Sequence, residues 1–333
     1  MRALRVETYG EPAEVLRVQE IEVPVPGPGQ VRVRVGAAAL NLPDVLLCRG
    51  TYALKPPLPF TPGLDVAGTV EATGEGVAPD LVGERVAGVA DLPNGALAEL
   101  SILTANRLYP LPGDLDDSGA AAMLIAFTTA HVSLLRRGGL VAGEHVLVLG
   151  AAGGVGSAAI QVAKILGAHV IAVASGAERV DSCLALGADV GIDLTVGDMV
   201  EQVLAATGGR GADVVYDPVG GELYHAARRC TSSEGRLLII GFAGGLQAIQ
   251  ANQLLYRNQS AIGVYLGAYS KDEAGRAFMA EVWAELMDWY GGGRIWPVIG
   301  REVGLDGVAE ALEDLAARRI MGRIVVRPEL DQA

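Results

Sequence analysis

Three glycines spaced three residues apart, Gly150, Gly153 and Gly156, are the residues with the clearest chemical use in this chain. They follow an apolar run of strand length at 146–149 and lead directly into a helical pattern. Because glycine has no Cβ, the backbone can turn sharply there and approach a pyrophosphate, whose charge then faces the N–H groups at the helix N-terminus. This strand–turn–helix context predicts a dinucleotide phosphate site. A glycine-rich turn in an ordinary α/β protein stays the alternative, since the strict G-x-G-x-x-G spacing is absent. The predicted site comprises Gly150, Ala151, Gly153, Gly154, Val155 and Gly156.

The end of the next predicted strand, at 169–174, bears on which dinucleotide binds. An NAD site usually places Asp or Glu there to hold the ribose hydroxyls, but this chain continues Ser175-Gly176-Ala177. A 2′-phosphate would accept hydrogen bonds from Ser175 and pair with Arg179, so the sequence favours NADPH over NADH. The alternative for Arg179 is a solvated residue in the first turn of a helix. Glu178 beside it would repel a phosphate and keeps NADH open.

The elements that position these residues alternate along the chain. Short crossovers between buried parallel strands are typical of the doubly wound nucleotide fold. Before about residue 125 the pattern changes to period-two strands such as 31–35, separated by Pro and Gly turns, which predicts a small antiparallel β domain. We expect the substrate site in the cleft between the two domains. The predicted strands of the nucleotide domain are 146–149, 169–174, 189–194, 212–217, 236–241 and 261–265, followed by a helix at 271–290 and strands at 296–299 and 322–326, the last expected to rejoin the first domain.

Composition excludes several classes of function. A net charge of −13 without a run of Lys and Arg argues against nucleic-acid binding. The three cysteines, Cys48, Cys183 and Cys230, are far apart and are expected to be small buried side chains in a reduced compartment. Residues 118–135 are uncharged, but polar side chains interrupt them, so we expect a buried helix and no membrane insertion. The N-terminus lacks the apolar centre of a signal peptide, and a cytoplasmic location is expected.

A set of motifs spread over nearly the whole chain resembles the zinc-free quinone oxidoreductases of the medium-chain dehydrogenase/reductase superfamily, the zeta-crystallin-like family. The resemblance implies an α/β protein with a GroES-like, β-rich catalytic domain over 1–125 and 266–333 and a Rossmann NADPH-binding domain over 126–265. It also implies a homodimer, which the strand at 260–265 could form by pairing with its symmetry mate. The motifs are Asn41-Leu42-Pro43-Asp44, Arg49-Gly50-Thr51-Tyr52, 56–63, Gly68-Thr69-Val70, Gly83-Glu84-Arg85-Val86, 150–156, 216–221 and Gly322-Arg323-Ile324-Val325.

The resemblance implies reduction of an electrophile without a metal. Leu64 stands where the zinc-dependent alcohol dehydrogenases have a histidine ligand, and none of the four histidines is paired with another ligand at suitable spacing. A small apolar electrophile, such as a quinone or an α,β-unsaturated carbonyl, needs only a placed hydride and a proton. Asn41 and Tyr52 match family positions where an amide or a phenol would stabilise an oxyanion or supply its proton. The alternatives are a helix cap for Asn41 and an exposed loop aromatic for Tyr52.

Further cofactor contacts are expected at Thr129, Gly241, Phe242 and Val264, although Thr129 could instead bond its own helix backbone. The chain departs from some family members at Leu46, where they have tyrosine, and at Leu266, where they have arginine. Both changes make the expected substrate pocket less polar. The two alternative functions are an enoyl thioester reductase and an NADPH-binding protein with little turnover.

Overall fold

The computed structural model describes residues 1–332, which form two compact units. The first contains Met1–Ile125 and the chain from Pro297 onward, and the second contains Ala126–Trp296. Residues 266–296 therefore lie in the second unit, not in the GroES-like domain to which the sequence analysis assigned them.

The strands and helices follow one another in the order that their numbering gives. The strands are β1 (Arg2–Val6), β2 (Leu16–Glu20), β3 (Gln30–Ala39), β4 (Asp65–Thr73), β5 (Arg85–Ala90), β6 (Leu100–Pro110), β7 (His145–Leu149), β8 (His169–Ala174), β9 (Val190–Asp193), β10 (Ala212–Asp217), β11 (Thr231–Ile239), β12 (Ser260–Gly263), β13 (Ile299–Val303) and β14 (Arg323–Val326). The helices are α1 (Pro12–Val15), α2 (Leu42–Cys48), α3 (Asp117–His131), α4 (Gly154–Ile165), α5 (Ala177–Ala185), α6 (Met199–Ala206), α7 (Gly221–Arg229), α8 (Ala251–Leu255), α9 (Glu273–Gly291) and α10 (Val308–Ala316).

The first unit is built on a sheet in the order β13-β14-β3-β4-β5-β6. Strand β3 also pairs with β6, so β3 to β6 close on themselves as an antiparallel ring without a free edge between them. Alternate residues of β3, namely Val31, Val33 and Val35, point into the core of this unit. The tail returns as predicted, because β14 pairs antiparallel with β3, with Val325 opposite Ala39. The other strand predicted in the tail, 296–299, begins later, at Ile299.

The second unit contains the predicted doubly wound sheet. Its six strands are all parallel in the order β12-β11-β10-β7-β8-β9, so the strand order reverses between β7 and β10. Continuous apolar runs are buried on both faces, and residues 146–149 have no exposed surface. All six predicted strands are present. However, β11 begins at Thr231, five residues before the predicted start at Arg236, and β11 and β12 each end two residues before their predicted ends, at Ile239 and Gly263. All six carboxyl ends lie at one edge of the sheet, which is where open α/β sheets bind their ligands.

Helix α9 belongs to the second unit because its buried side packs there. A hydrogen bond of 2.8 Å joins His131 Nε2 to Glu285 Oε2, and the Trp289 ring lies 5.5 Å from the His131 ring. The loop after α9 is held too, since the Trp296 N–H donates to Gln161 Oε1 of α4 at 2.9 Å. These contacts explain the corrected boundary of the first domain.

The apolar segment predicted as a buried helix is α3, which continues as a π-helical turn over Val132–Arg137. The stretch Asp117–Arg137 is long and apolar enough to cross a membrane by length and composition, with a mean hydropathy of 1.5. However, 89% of its most apolar window is buried inside the protein, as in the core helix of a globular protein. All three cysteines are buried and unpaired, as expected.

Candidate active site

The glycine turn connects β7 to α4 in the second unit. Gly150 has φ +58°, a conformation that favours glycine, and the next N–H, of Ala151, donates to Val173 O at 3.0 Å. The turn closes when the Gly153 N–H donates to Gly150 O at 3.0 Å, and Gly153 then caps α4. Backbone hydrogen bonds thus fix the conformation of the turn.

Close packing explains the last glycine of the motif. A Cβ on Gly156 would lie 2.4 Å from Gly150 O and 2.7 Å from Ala151 Cα, so only glycine lets the first turn of α4 pack this closely on the loop. The helical ladder starts with the Ser157 N–H, which donates to Gly153 O at 2.8 Å. The N–H groups before it, of Gly154, Val155 and Gly156, have no intrahelical acceptor. This cradle of backbone donors with the positive helix end fits a pyrophosphate.

The loop after β8 lies beside the cradle, since β8 is the neighbour of β7. Ser175 is exposed, and Arg179 Nη1 donates to the Ser175 carbonyl at 3.2 Å, which brings the guanidinium to this loop. No acid ends β8, but Asp193 ends β9 and lies opposite Ala174 in the sheet, a functional position that the sequence pattern did not indicate. Its Oδ1 accepts from the Gly176 N–H at 2.8 Å. Asp193 is identified by the position of its strand beside β8 in the sheet. The sequence pattern of one strand does not show which strand end lies next to it.

Gly241, Phe242 and Val264 lie at the same edge of the sheet, directly after β11 and β12. Phe242 is exposed, and the Val264 N–H donates to Ile239 O at 2.9 Å. A Cβ on Gly241 would lie 2.7 Å from Pro218 O, so this loop runs against the turn after β10. The edge thus brings together the predicted cofactor residues of four strands.

Asp217, the last residue of β10, was quoted within a motif but given no role by the sequence analysis. Its Oδ1 accepts from the N–H groups of Val219 at 2.8 Å and Gly220 at 2.7 Å and so fixes the turn at the point where the strand order reverses. Burial raises the pKa of this carboxyl above its ordinary value, whereas the two N–H groups lower it. The Asp-Pro-x-Gly sequence is itself a turn signal.

Thr129, a predicted cofactor contact, is buried within α3, with 7% of its surface exposed.

Asn41 lies in a buried polar network of the first unit, which favours the alternative to its predicted catalytic role. Its Nδ2 donates both hydrogens inside the protein, to Ala39 O at 3.1 Å and to Asp65 Oδ2 at 3.0 Å, and its Oδ1 accepts from Arg323 Nη1 at 2.8 Å. An oxyanion needs a donor, and this amide has none left to give. The alternative is therefore favoured: Asn41 is the residue before α2, where its N–H donates to Asp44 Oδ2 at 2.8 Å.

The same network places two carboxyl groups, of Asp44 and Asp65, out of solvent with one guanidinium, of Arg323. Burial raises the pKa of Asp44 to about 7, and the N–H groups of Asn41 and Gly63 lower it only in part. Burial likewise raises the pKa of Asp65 to about 6, and Arg323 is the strongest opposing influence. These residues tie β3, β4, β14 and α2 together.

Tyr52 follows α2 in a half-buried position, where it packs against the core of the first unit. Its N–H donates to Leu46 O at 3.2 Å, which fixes the backbone near the end of the helix. Arg49, at the end of the same helix, forms an ion pair with Glu11 at 2.7 Å. Within residues 1–332, three or more His, Cys, Asp or Glu side chains are nowhere grouped so as to hold a metal ion.

Comparisons with known proteins agree with both units. Residues 27–113 match the alcohol dehydrogenase GroES-like domain, and residues 154–288 match the family described as zinc-binding dehydrogenase. The chain is 33% identical over 318 residues to quinone oxidoreductase-like protein 2 of Mus musculus, covering 95% of this chain and 90% of that protein. It is 34% identical over 316 residues to the quinone oxidoreductase of Rattus norvegicus, with 95% and 94% covered. The Escherichia coli quinone oxidoreductase, whose structure is complexed with NADPH, superimposes with a TM-score of 0.91 at 27% identity, with 98% and 100% covered.

Proposed function

Because the chain belongs to the quinone oxidoreductase family of the medium-chain dehydrogenase/reductase superfamily, we propose that it uses NADPH to reduce a quinone or another activated α,β-unsaturated carbonyl by direct hydride transfer, without a metal. The glycine cradle at the N-terminus of α4 is the observation that carries this proposal. The Escherichia coli relative complexed with NADPH supports the choice of cofactor.

The residues of the second unit fit the parts of this cofactor in order along the sheet edge. The N–H groups of Gly154, Val155 and Gly156 would hold the pyrophosphate. Ser175 and Arg179, after β8, would hold the 2′-phosphate of the adenosine ribose. The residues after β11 and β12, on the other side of the cradle, would hold the nicotinamide end. When bound, NADPH supplies the hydride.

The chain must also provide a proton for the reduced carbonyl oxygen. With the Asn41 amide committed to its own network, Tyr52 is the sequence-predicted residue that stays a candidate donor. Asn41 then acts as a structural residue that holds the start of α2, whereas Tyr52 follows the end of that helix. An activated carbonyl is electrophilic enough to accept a hydride when only a proton donor is placed beside its oxygen. A zinc ion is therefore not needed, which agrees with Leu64 at the position of a zinc-binding histidine.

A homodimer is part of the proposal. Strand β12 pairs with β11 on one side and ends the sheet, so its other side offers a strand edge to a second copy. Size-exclusion chromatography with light scattering tests this point.

The experiment for the activity follows the absorbance of NADPH with purified protein and a small quinone, then an enone and an enoyl thioester, with NADH as the comparison. Turnover of the quinone or enone with NADPH supports the proposal. Turnover of the enoyl thioester alone favours the alternative thioester reductase. Tight NADPH binding without turnover of any acceptor favours a binding protein.

Tyr52→Phe then tests the proton donor. We expect kcat to fall about 10²-fold or more with little change in the Kd of NADPH, since general acid catalysis contributes factors of this size. Tyr256→Phe is the matched control, because Tyr256 is 82% exposed and outside the proposed site. Equal kcat in the two variants would remove Tyr52 from the mechanism.

A further inference from the structure

Asp193 is an acid at the corner of the sheet that the proposed 2′-phosphate would occupy. It is the last residue of β9 and lies opposite Ala174, the last residue of β8. Its Oδ1 accepts three hydrogen bonds at 2.8 Å, from the N–H groups of Gly176 and Thr195 and from Thr195 Oγ1. The carboxylate is thereby fixed against the loop that carries Ser175.

These bonds keep the carboxylate charged. The N–H of Gly176 is the largest cause that holds the pKa of Asp193 below its ordinary value, and the bonds from Thr195 add to it. The nearest charges along the loop are Glu178 and Arg179 in the first turn of α5. At neutral pH this corner therefore carries one positive and two negative side chains.

A 2′-phosphate and a 2′-hydroxyl respond to this corner in opposite ways. A phosphate held by Ser175 and Arg179 would be repelled by this fixed negative charge, and the N–H of Gly176, a good phosphate donor, is already bonded to Asp193. A hydroxyl is a donor, and carboxylates at strand ends are the usual partners of ribose hydroxyls. The negative charge of Asp193 hence weakens the attraction of the Arg179 guanidinium for a 2′-phosphate.

We infer that Asp193 is a specificity-determining residue for the cofactor. Its negative charge reduces the preference for NADPH over NADH, so that NADH remains a usable cofactor. This inference rests on the proposed function, since it assumes that a nicotinamide dinucleotide binds at the glycine cradle. In dinucleotide-binding folds the residue that discriminates NADH from NADPH is usually at the end of the strand equivalent to β8. Here that role belongs to a residue at the end of β9.

Asp193→Asn separates the charge from the hydrogen bonds. The amide Oδ1 has two lone pairs and still accepts from the N–H groups of Gly176 and Thr195, so the loop keeps its shape while the negative charge is removed. The Kd values of NADPH and NADH are measured by fluorescence titration in about 0.1 M salt, without any acceptor substrate. We expect the Kd of NADPH to fall about three- to tenfold and that of NADH to stay or rise. The gain for NADPH should shrink at high salt.

Asp189→Asn is the matched control. Asp189 precedes the same strand at the opposite edge of the sheet, accepts a backbone bond from the Val170 N–H at 2.7 Å and carries the same charge. It lies about 13 Å along the strand from Asp193, beyond the screening length in ordinary buffer. We expect its variant to leave the ratio of the two Kd values unchanged.

The outcomes distinguish this inference from the proposed function. If Asp193→Asn leaves the NADPH-to-NADH ratio as in the natural protein, or shifts it only as much as Asp189→Asn does, the inference is wrong while cofactor binding stands. If the natural protein binds neither dinucleotide, the proposed function itself is wrong.

Discussion

The glycine cradle of the second unit and the buried polar network of the first show two ways of building a functional region. The cradle is made by backbone groups of seven consecutive residues, and its glycines matter because they have no Cβ. The network joins side chains as far apart in sequence as Asn41 and Arg323. A region built from local backbone geometry leaves a readable spacing in the sequence, whereas one built from distant side chains does not.

Breaking the network should have the largest effect. Arg323→Met leaves the Asp65 carboxylate and the Asn41 carbonyl buried without their cation. We expect the free energy of unfolding to fall by about 3–5 kcal/mol, the usual result when one partner of a buried ion pair is removed. Urea unfolding at neutral pH measures it.

Arg34→Met is the matched control, because Arg34 forms an ion pair with Glu71 while 63% of its side chain is exposed. Its loss should cost about 1 kcal/mol or less. The double variant Arg323→Met, Asp65→Asn should recover part of the lost stability, since it removes the uncompensated charge. Equal losses for Arg323→Met and Arg34→Met would show that burial does not set the strength of the network.

Gly156→Ala tests the cradle and should have the next largest effect. The added Cβ would meet backbone atoms at 2.4 and 2.7 Å, which cannot rotate away as a side chain does. We expect a loss of about 1–3 kcal/mol in the free energy of unfolding, as for other overpacking substitutions, and weaker NADPH binding because the first turn of α4 is displaced. Gly291→Ala, where a Cβ meets open space, should be neutral or stabilising. Unchanged NADPH affinity in Gly156→Ala would contradict this account of the cradle.

The comparison also explains what the sequence could predict. The six parallel strands and the cradle were predictable because apolar runs and glycine spacing are local signals, and the returning strand β14 was found as well. The structural role of Asn41 was not predictable, since its partners Asp65 and Arg323 come together only in the folded chain. The boundary at 266 was wrong for the same reason: the helical pattern of α9 does not reveal that it packs on His131. Asp193 was missed because strand order, and not strand sequence, brings it to the cofactor corner.

The pH dependence of stability should distinguish the network from the rest of the molecule. Burial raises the pKa of Asp44 from its ordinary 3.8 to about 7, so between these values the folded state binds more protons than the unfolded state. The stabilisation from this group is therefore complete below its ordinary pKa and is lost as the pH rises through about 7. The slope is at most about 1.4 kcal/mol per pH unit.

Asp44→Asn removes this titration and serves as the reference. The stability difference between the natural protein and the variant, from thermal or urea unfolding between pH 5 and 8, should be most favourable to the natural protein at the acidic end. A difference that is constant with pH would show that Asp44 is ionised throughout and that its two backbone donors outweigh its burial.

The two ends of α2 allow a buried and an exposed ion pair to be compared on one helix. The exposed pair should have the smallest effect on stability of those considered. The helix starts at the buried network and ends at Arg49, whose pair with Glu11 leaves 37% and 55% of the two side chains exposed. Because water screens such a pair, Arg49→Ala should lower the free energy of unfolding by less than about 1 kcal/mol. The loss should disappear in 1 M salt, where the screening length is about 3 Å, whereas the loss in Arg323→Met should persist because salt does not reach a buried pair. A salt-independent loss in Arg49→Ala would mean that packing of its side-chain stem, and not its charge, stabilises this end of the helix.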